Sequence, residues 1–212
     1  MEPTRVIAVR HGETAWNVDT RIQGQLDIEL NDTGLWQARR VARALEDETI
    51  GAIYASDLAR ARQTAEAIAA PRGLPITTDS GLRERAFGSF EGRTFADIDA
   101  ESPEQARLWR TRDPEFAPEG GESLLTFRAR ITATAHRLAA RHPGQLVVMV
   151  AHGGVMDVLY RDATGQDLQA PRTWQLGNAA INRLLWTPQG FTLIGWADTA
   201  HLGDGILDEA TA

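Results

Sequence analysis

Two residue types are missing from the 212-residue sequence, cysteine and lysine. The first absence removes disulfides, thiolate-bound metals, iron–sulfur clusters and the cysteine nucleophiles of some phosphatases and proteases. The second removes the lysine of a Walker A loop and any side-chain amine for Schiff-base chemistry. All 22 basic residues are therefore arginine. An anion site in this chain must use guanidinium groups, which are planar, permanently charged and able to grip two phosphate oxygens at once. Long apolar runs are also missing. The longest, Leu146–Ala151, is far short of the ~20 residues of a membrane helix, and no apolar signal-peptide core is visible at the N-terminus. The expectation is a cytoplasmic protein that engages no membrane. With 29 acidic against 22 basic residues the formal charge is −7, the wrong sign for binding nucleic acid across the whole surface. A local arginine pocket for a small phosphorylated ligand is compatible with that balance.

Hydrophobic residues make up 42% and charged residues 24% of the chain, an ordinary globular composition. No repeat and no low-complexity linker divides it, so a single domain over 1–212 is expected. Apolar runs at 6–9, 52–55 and 146–151 read as strands. Between them lie stretches of helical spacing: Leu35, Ala38, Ala42 and Leu45 after Thr33; Leu58, Thr64, Ala65 and Ile68 after Ser56 and Asp57; and Leu124, Phe127, Ile131, Ala135 and Leu138 within 123–141. This alternation predicts an α/β layer sandwich with a mostly parallel central sheet. Residues 181–186 and 191–196 flank Thr187-Pro188-Gln189-Gly190 and read as a strand pair joined by a tight turn. The segment 88–121, rich in charge, proline and glycine, reads as a partly helical excursion lying over something.

An internal echo points to chemistry. Val6-Ile7-Ala8-Val9-Arg10-His11-Gly12 and Val147-Val148-Met149-Val150-Ala151-His152-Gly153 are both apolar strands that end in His-Gly. Ligands of open α/β sheets bind beyond the carboxyl ends of the strands, so neighbouring strands would bring His11 and His152 to one site. The strand at 52–55 runs into Ser56-Asp57-Leu58-Ala59-Arg60. Arg60 would then lie in the first turn of a helix, where the dipole already favours an anion. With Arg10 beside His11, two arginines and two histidines make a pocket suited to a dianion, and phosphate fits. A metal centre fits poorly, because ligand spacings such as His-x-His are lacking and Arg10 would repel a cation. Glu84, between Arg83 and Arg85, reads on composition alone as a surface ion-pair residue. Asp97-Ile98-Asp99 does not end an apolar strand, and Gly203-Asp204-Gly205 has the wrong context for a dinucleotide loop.

Taken in order, the blocks Arg10-His11-Gly12-Glu13-Thr14 with Trp16-Asn17, Arg21, Gln23-Gly24, Asp27 and Leu30, then Gly34 and Gln37-Ala38, then Ser56-Asp57-Leu58 with Arg60-Ala61 and Gln63-Thr64-Ala65 resemble the histidine phosphatase, or phosphoglycerate-mutase-like, superfamily. The resemblance continues through 82–92, Pro118-Glu119-Gly120-Gly121-Glu122-Ser123 and Ala151-His152-Gly153-Gly154, and so covers nearly the whole chain. It implies a three-layer α/β/α sandwich. It implies that His11 is the nucleophile, that Arg10 and Arg60 bind phosphate, that His152 is the second pocket histidine and that Glu84 is the proton donor. Asn17, Gln23 and Gly24 match positions that help bind phosphate or substrate.

Such a site needs neither metal nor organic cofactor. Phosphoryl transfer spreads charge over three oxygens, which arginine forks and histidine donors can stabilise. The nucleophilic imidazole must be unprotonated, and nearby arginine charge lowers its pKa toward that form. Its other ring N–H is expected to bond a backbone carbonyl. The expected reaction is hydrolysis of a small phosphorylated metabolite, with inorganic phosphate as product. A phosphoglycerate mutase is the main alternative. It would use Arg93, Arg107, Arg110 and Arg112 to clamp a substrate carboxylate, whereas the blander reading pairs them with Glu101, Glu104 and Asp113. A silent phosphoryl-binding module is a weaker alternative, since such proteins usually lose the nucleophile or the acid. Trp109 and Phe116 are candidates to line a lid over 93–118 that sets substrate choice. The other tryptophans read as core or edge residues, His136 and His142 as surface residues, and His201 has no assigned mechanism.

Overall fold

The computed structural model describes residues 2–203, so Asp204 and Gly205 of the discounted glycine motif lie outside the described residues. Its elements in chain order are β1 (Thr4–Arg10), α1 (Ala15–Val18), α2 (Asp32–Ala44), β2 (Ile50–Ala55), α3 (Ala59–Ala69), β3 (Ile76–Thr78), α4 (Phe95–Glu101), α5 (Pro103–Arg110), α6 (Leu124–Ala139), β4 (Leu146–Ala151), α7 (Gly153–Thr164), β5 (Ile181–Thr187) and β6 (Gly190–Asp198). The strands form one sheet in the order β3-β2-β4-β1-β5-β6. The first four are parallel, and β5 and β6 add antiparallel to β1 and to each other. Strands β1 and β4 are nearly continuous runs of branched residues because both of their faces are covered.

Side chains alternate across the sheet into two cores. On one face Val6, Ala8, Val147 and Met149 meet Phe127, Ile131 and Leu138 of α6 and Val155, Met156 and Leu159 of α7. On the other, Ile7, Val9, Val148 and Val150 meet Val41 and Leu45 near α2 and Ala61, Ala65 and Ile68 of α3. The molecule is therefore a three-layer α/β/α sandwich.

Several helix ends differ from the sequence expectation for local reasons. Helix α2 starts before Thr33, with the Asn31 side chain accepting from the Gly34 N–H. Helix α3 is capped by neither Ser56 nor Asp57. The Asp57 carboxylate is held bidentately by Arg83, with both bonds at 2.7 Å, and the first-turn N–H of Ala59 donates instead to Asp27 Oδ1 at 2.6 Å. Helix α6 begins behind Ser123 as its spacing predicts. Helix α7 escapes a propensity reading because it opens on Gly153-Gly154, two poor helix formers. Strand β3 is too short to carry a periodic signal.

The 88–121 excursion holds α4 and α5 over a small aromatic core in which Phe90, Ile98 and Ala106 pack with Phe87, Phe95, Trp109 and Phe116. Trp109 lies 4.9 Å from Phe87 and 5.7 Å from Phe90, ring centre to ring centre. The ends of the excursion are stitched together, since the Ser89 N–H donates to Glu119 O at 2.9 Å and the Glu122 N–H to Ala86 O at 2.8 Å. Arg112 ties it to the sandwich through Asp157 at 2.8 Å and Leu168 O at 2.6 Å.

Candidate active site

The neighbouring parallel strands β1 and β4 run in register, Arg10 opposite Ala151, so the His-Gly pairs that follow emerge side by side. The His11 N–H donates to Ala151 O at 2.9 Å and extends the ladder by one step. The two imidazoles meet edge to face, with ring centres 5.2 Å apart and planes at 61°. His11 Nδ1 lies 2.7 Å from Gly12 O. A carbonyl can only accept, so Nδ1 carries the proton and Nε2 keeps its lone pair. Neither ring nitrogen of the fully buried His152 has a hydrogen-bond partner among the described residues.

Two guanidinium groups complete the cluster, and none of the four side chains is more than 3% exposed. Arg10 donates to Leu176 O. Arg60, in the first turn of α3, donates to Gly24 O at 2.7 Å and Leu26 O at 2.8 Å. Gly24 has φ +53° and lies against the Glu91 carboxylate, where a Cβ would clash, so this tight turn depends on glycine. Glu91 Oε1 accepts from the Gln25 and Phe87 N–H groups, both at 3.0 Å. The 23–27 loop thus joins the arginine pocket to the segment carrying Glu84.

Glu84 is half-buried rather than a surface residue, and main-chain groups help to hold it. Its Oε2 accepts from the Gly154 N–H at 2.9 Å and its Oε1 from the Arg85 N–H at 2.7 Å. The Gly154 bond places the carboxyl group at the start of α7, two residues beyond His152. A Cβ at Gly154 would lie 2.3 Å from Glu84 Oε1, so the glycine leaves room for the carboxylate.

Burial first, and then the charges of Arg60 and Arg10, hold His11 well below the ordinary histidine value of 6.5. Burial and Arg60 do the same for His152. Burial pushes the Arg60 guanidinium down to about 10, opposed by Glu84 and Asp27, so it remains cationic at neutral pH. The two imidazoles are therefore neutral at neutral pH beside the Arg60 cation, a setting that suits a phosphate group. Both imidazoles titrate lower in the folded chain than unfolded, so below pH 6.5 the unfolded state binds more protons. Stability is expected to be full above that pH and to fall by up to about 1.4 kcal/mol per pH unit for each imidazole as pH drops toward the folded values. Urea unfolding between pH 5 and 8 reads this slope, and His152→Asn should remove one imidazole's share. An unchanged slope in the variant would contradict the assignment.

Of the remaining sequence candidates, Asn17 is engaged locally. Its Oδ1 accepts from the Thr14 N–H at 3.0 Å and from Asn178 Nδ2 at 3.3 Å. Gln23 is buried and its Oε1 has no hydrogen-bond partner among the described residues. Arg93 pairs with Glu101 at 2.7 Å and donates to Asp97 O at 3.3 Å. Arg107, Arg110 and Arg112 pair with Glu104, Asp99 and Asp157, so each of the four arginines considered for a carboxylate clamp already has an acidic partner. His136 and His142 are half-buried rather than superficial: Trp186 Nε1 donates to His136 Nδ1 at 3.0 Å, and Tyr54 Oη lies 2.8 Å from His142 Nε2. His201 Nε2 lies 3.0 Å from Ala179 O, and the Ala179 N–H in turn reaches the Arg10 and His11 carbonyls at 3.0 and 3.2 Å.

Sequence reading missed Asn178, whose Nδ2 donates to His11 O at 3.0 Å. It stands in an irregular loop before β5, and no motif or period marks it. Arg130, on α6, likewise carries no motif or period that sets it apart from the other arginines of that helix. Among the described residues no group of three or more His, Asp or Glu side chains could hold a metal ion, and no helix is long and apolar enough to cross a membrane.

A family model described as the histidine phosphatase superfamily (branch 1) matches residues 6–199. Phosphoglycerate mutase-like protein 4 of Arabidopsis thaliana is 38% identical over 201 residues, covering 93% of this chain and 86% of the relative. The metal-independent phosphoserine phosphatase of the same plant is 35% identical over 204 residues, covering 95% and 84%. The structure of a mycobacterial glucosyl-3-phosphoglycerate phosphatase in complex with VO3 matches with a TM-score of 0.82 at 34% identity, over 92% of this chain and 99% of that one.

Proposed function

This chain belongs to the histidine phosphatase superfamily, and from that membership we propose that it hydrolyses a small phosphorylated metabolite through a phosphohistidine on His11. The observation that carries the reading is the buried cluster of Arg10, His11, Arg60 and His152, which joins an imidazole with a free Nε2 to a cationic pocket. The phosphatase names of two relatives support the same class of reaction.

In the first step His11 Nε2 attacks phosphorus in line with the ester oxygen. The N–P bond forms as the P–O bond breaks, and Glu84 gives its proton to the departing alkoxide. Arg10, Arg60 and His152 stabilise the spreading charge on the phosphoryl oxygens. In the second step Glu84 takes a proton from water, the resulting hydroxide attacks phosphorus, and inorganic phosphate leaves with neutral His11 restored. Apart from the proton that water returns to Glu84, the chain's own residues supply the charges and the proton transfer of this cycle, in keeping with the metal-independent activity named for one relative. Asn17, Gln23 and Gly24 stand as candidate substrate contacts, and the 88–121 excursion as the cover that selects the alcohol half of the substrate. Arg93 serves the cover's own packing in this reading. A cytoplasmic setting fits a substrate whose phosphate dianion cannot cross a bilayer unaided.

A screen of phosphate esters with the purified chain, with and without a chelator, tests the reading. Its members include phosphoserine and 3-phosphoglycerate, the latter with its bisphosphate primer. Phosphate release undiminished by chelator is expected. Isomerisation of phosphoglycerate without release would replace the phosphatase with a mutase.

A further inference from the structure

The segment that carries Glu84 has no regular structure of its own from 83 to 87, so its carbonyl groups must find partners elsewhere. They find one arginine on α6. Arg130 donates from one terminal nitrogen to Gly81 O at 3.1 Å and Arg83 O at 2.9 Å, and from the other to Glu84 O at 3.1 Å. Its Nε and the second terminal nitrogen also grip Glu122, at 2.8 and 2.7 Å. These five bonds match the five N–H groups of a guanidinium, leaving no donor over. The Phe127 ring supports the guanidinium from 5.2 Å.

Glu122 holds the same segment from the other side. Its Oε2 accepts from the Ala86 N–H at 2.8 Å, and its backbone carbonyl accepts from Arg85 Nε at 2.8 Å. Residues before, at and after Glu84 are therefore fixed by one bidentate ion pair, while the carboxyl group itself is met by backbone N–H groups of Arg85 and Gly154. A side chain that must give up and retake a proton at a fixed distance from the ester oxygen needs such support, because small displacements of an acid from its productive position cost large factors in rate.

We propose that the Arg130–Glu122 ion pair is the positioning device of the Glu84 carboxyl group, acting on proton transfer through Glu84 and not on phosphate binding. This rests on the reading of Glu84 as the acid. Lysine cannot reproduce the fork, and glutamine keeps the shape of Glu122 without its charge.

The experiment compares Arg130→Lys, Glu122→Gln, Glu84→Gln and the double variant Arg130→Lys/Glu84→Gln on two substrates. One is the alkyl phosphate hydrolysed fastest by the unaltered chain. The other is 2,4-dinitrophenyl phosphate, whose leaving group departs without a proton. Arg130→Lys and Glu122→Gln are expected to lower kcat/KM on the alkyl ester by about 10- to 100-fold while leaving the aryl ester within about threefold. The double variant should lose nothing beyond Glu84→Gln alone, as two residues acting through one group do. Thermal unfolding of each variant identifies any that fails to fold, and either single variant suffices for the comparison. If Glu84→Gln spares the aryl ester but both ion-pair variants slow the two esters alike, or if the double variant shows the full sum of losses, the positioning role is overturned and the acid stands. If Glu84→Gln lowers kcat/KM on both esters equally, the acid reading itself fails and the positioning role falls with it; kcat/KM is the measure because it ends at formation of the phosphohistidine, before the second step in which Glu84 serves both esters as base.

Discussion

Replacing His11 with alanine is expected to abolish turnover, with kcat reduced by about 10⁴-fold or more. The size follows from the geometry. In the proposed cycle His11 Nε2 is the nucleophile: Nδ1 is tied to Gly12 O at 2.7 Å, which leaves the lone pair on Nε2, and the arginines have no lone pair to offer. Removing the ring leaves Arg10, Arg60 and His152 in place, so phosphate or vanadate should still bind the variant and still raise its melting temperature. Binding kept and chemistry lost is the signature of a missing nucleophile rather than a collapsed pocket. In the unaltered chain, rapid acid-free quenching during turnover of a ³²P-labelled ester should show label on a fragment containing His11, lost in acid and stable in base. A His11→Ala chain within threefold of the original rate, or label found elsewhere during steady turnover, would remove the phosphohistidine from the cycle.

The sequence made the centre of this site readable and left its surroundings dark, and both outcomes have physical causes. His11 and His152 are legible because each ends a strand whose continuous burial shows as a run of branched residues, and because the two strands pair in parallel register. Arg60 is legible as a first-turn residue, although its helix is capped from outside by Asp27, a partner that no local window reveals. Glu84 reads as a surface ion-pair residue from composition and gains its role only through the resemblance to relatives. What fixes it is a contact with Gly154, seventy positions away in sequence. Asn178 and Arg130 were missed for the same reason: each acts on main-chain carbonyls of a distant loop, and such bonds leave no period or motif. The four arginines of 93–112 show the converse. Their charge is plain in the sequence and so are two of their partners, Glu101 and Glu104, close by in the chain, but the pairing of Arg110 with Asp99 and of Arg112 with Asp157, in place of the expected Asp113, is visible only in three dimensions.

Arg60→Ala is expected to lower kcat by roughly 10³-fold, the scale for removing a preorganised charged donor from a water-excluded transition-state site. Two contributions add. The lost guanidinium, a cation at neutral pH despite its burial, no longer meets the charge that builds on the phosphoryl oxygens. The Gly24 and Leu26 carbonyls also lose their donor, so the turn that reaches toward Glu84 through Gln25 is released at one end. Arg60→Lys separates the two. A lysine keeps the charge but cannot hold both carbonyls and a phosphoryl oxygen at once, so it should recover only part of the loss. Because the proposed role of this residue is on the phosphoryl group and not on the leaving alcohol, kcat/KM on alkyl and activated aryl esters should fall by similar factors. That equal slowing is the opposite of the pattern expected for Glu84→Gln. Phosphate affinity should weaken alongside kcat, read by titration against the melting temperature. An Arg60→Ala chain that turns over within threefold of the original, or that slows alkyl esters alone, would show that Arg60 supports the loop and not the phosphoryl charge.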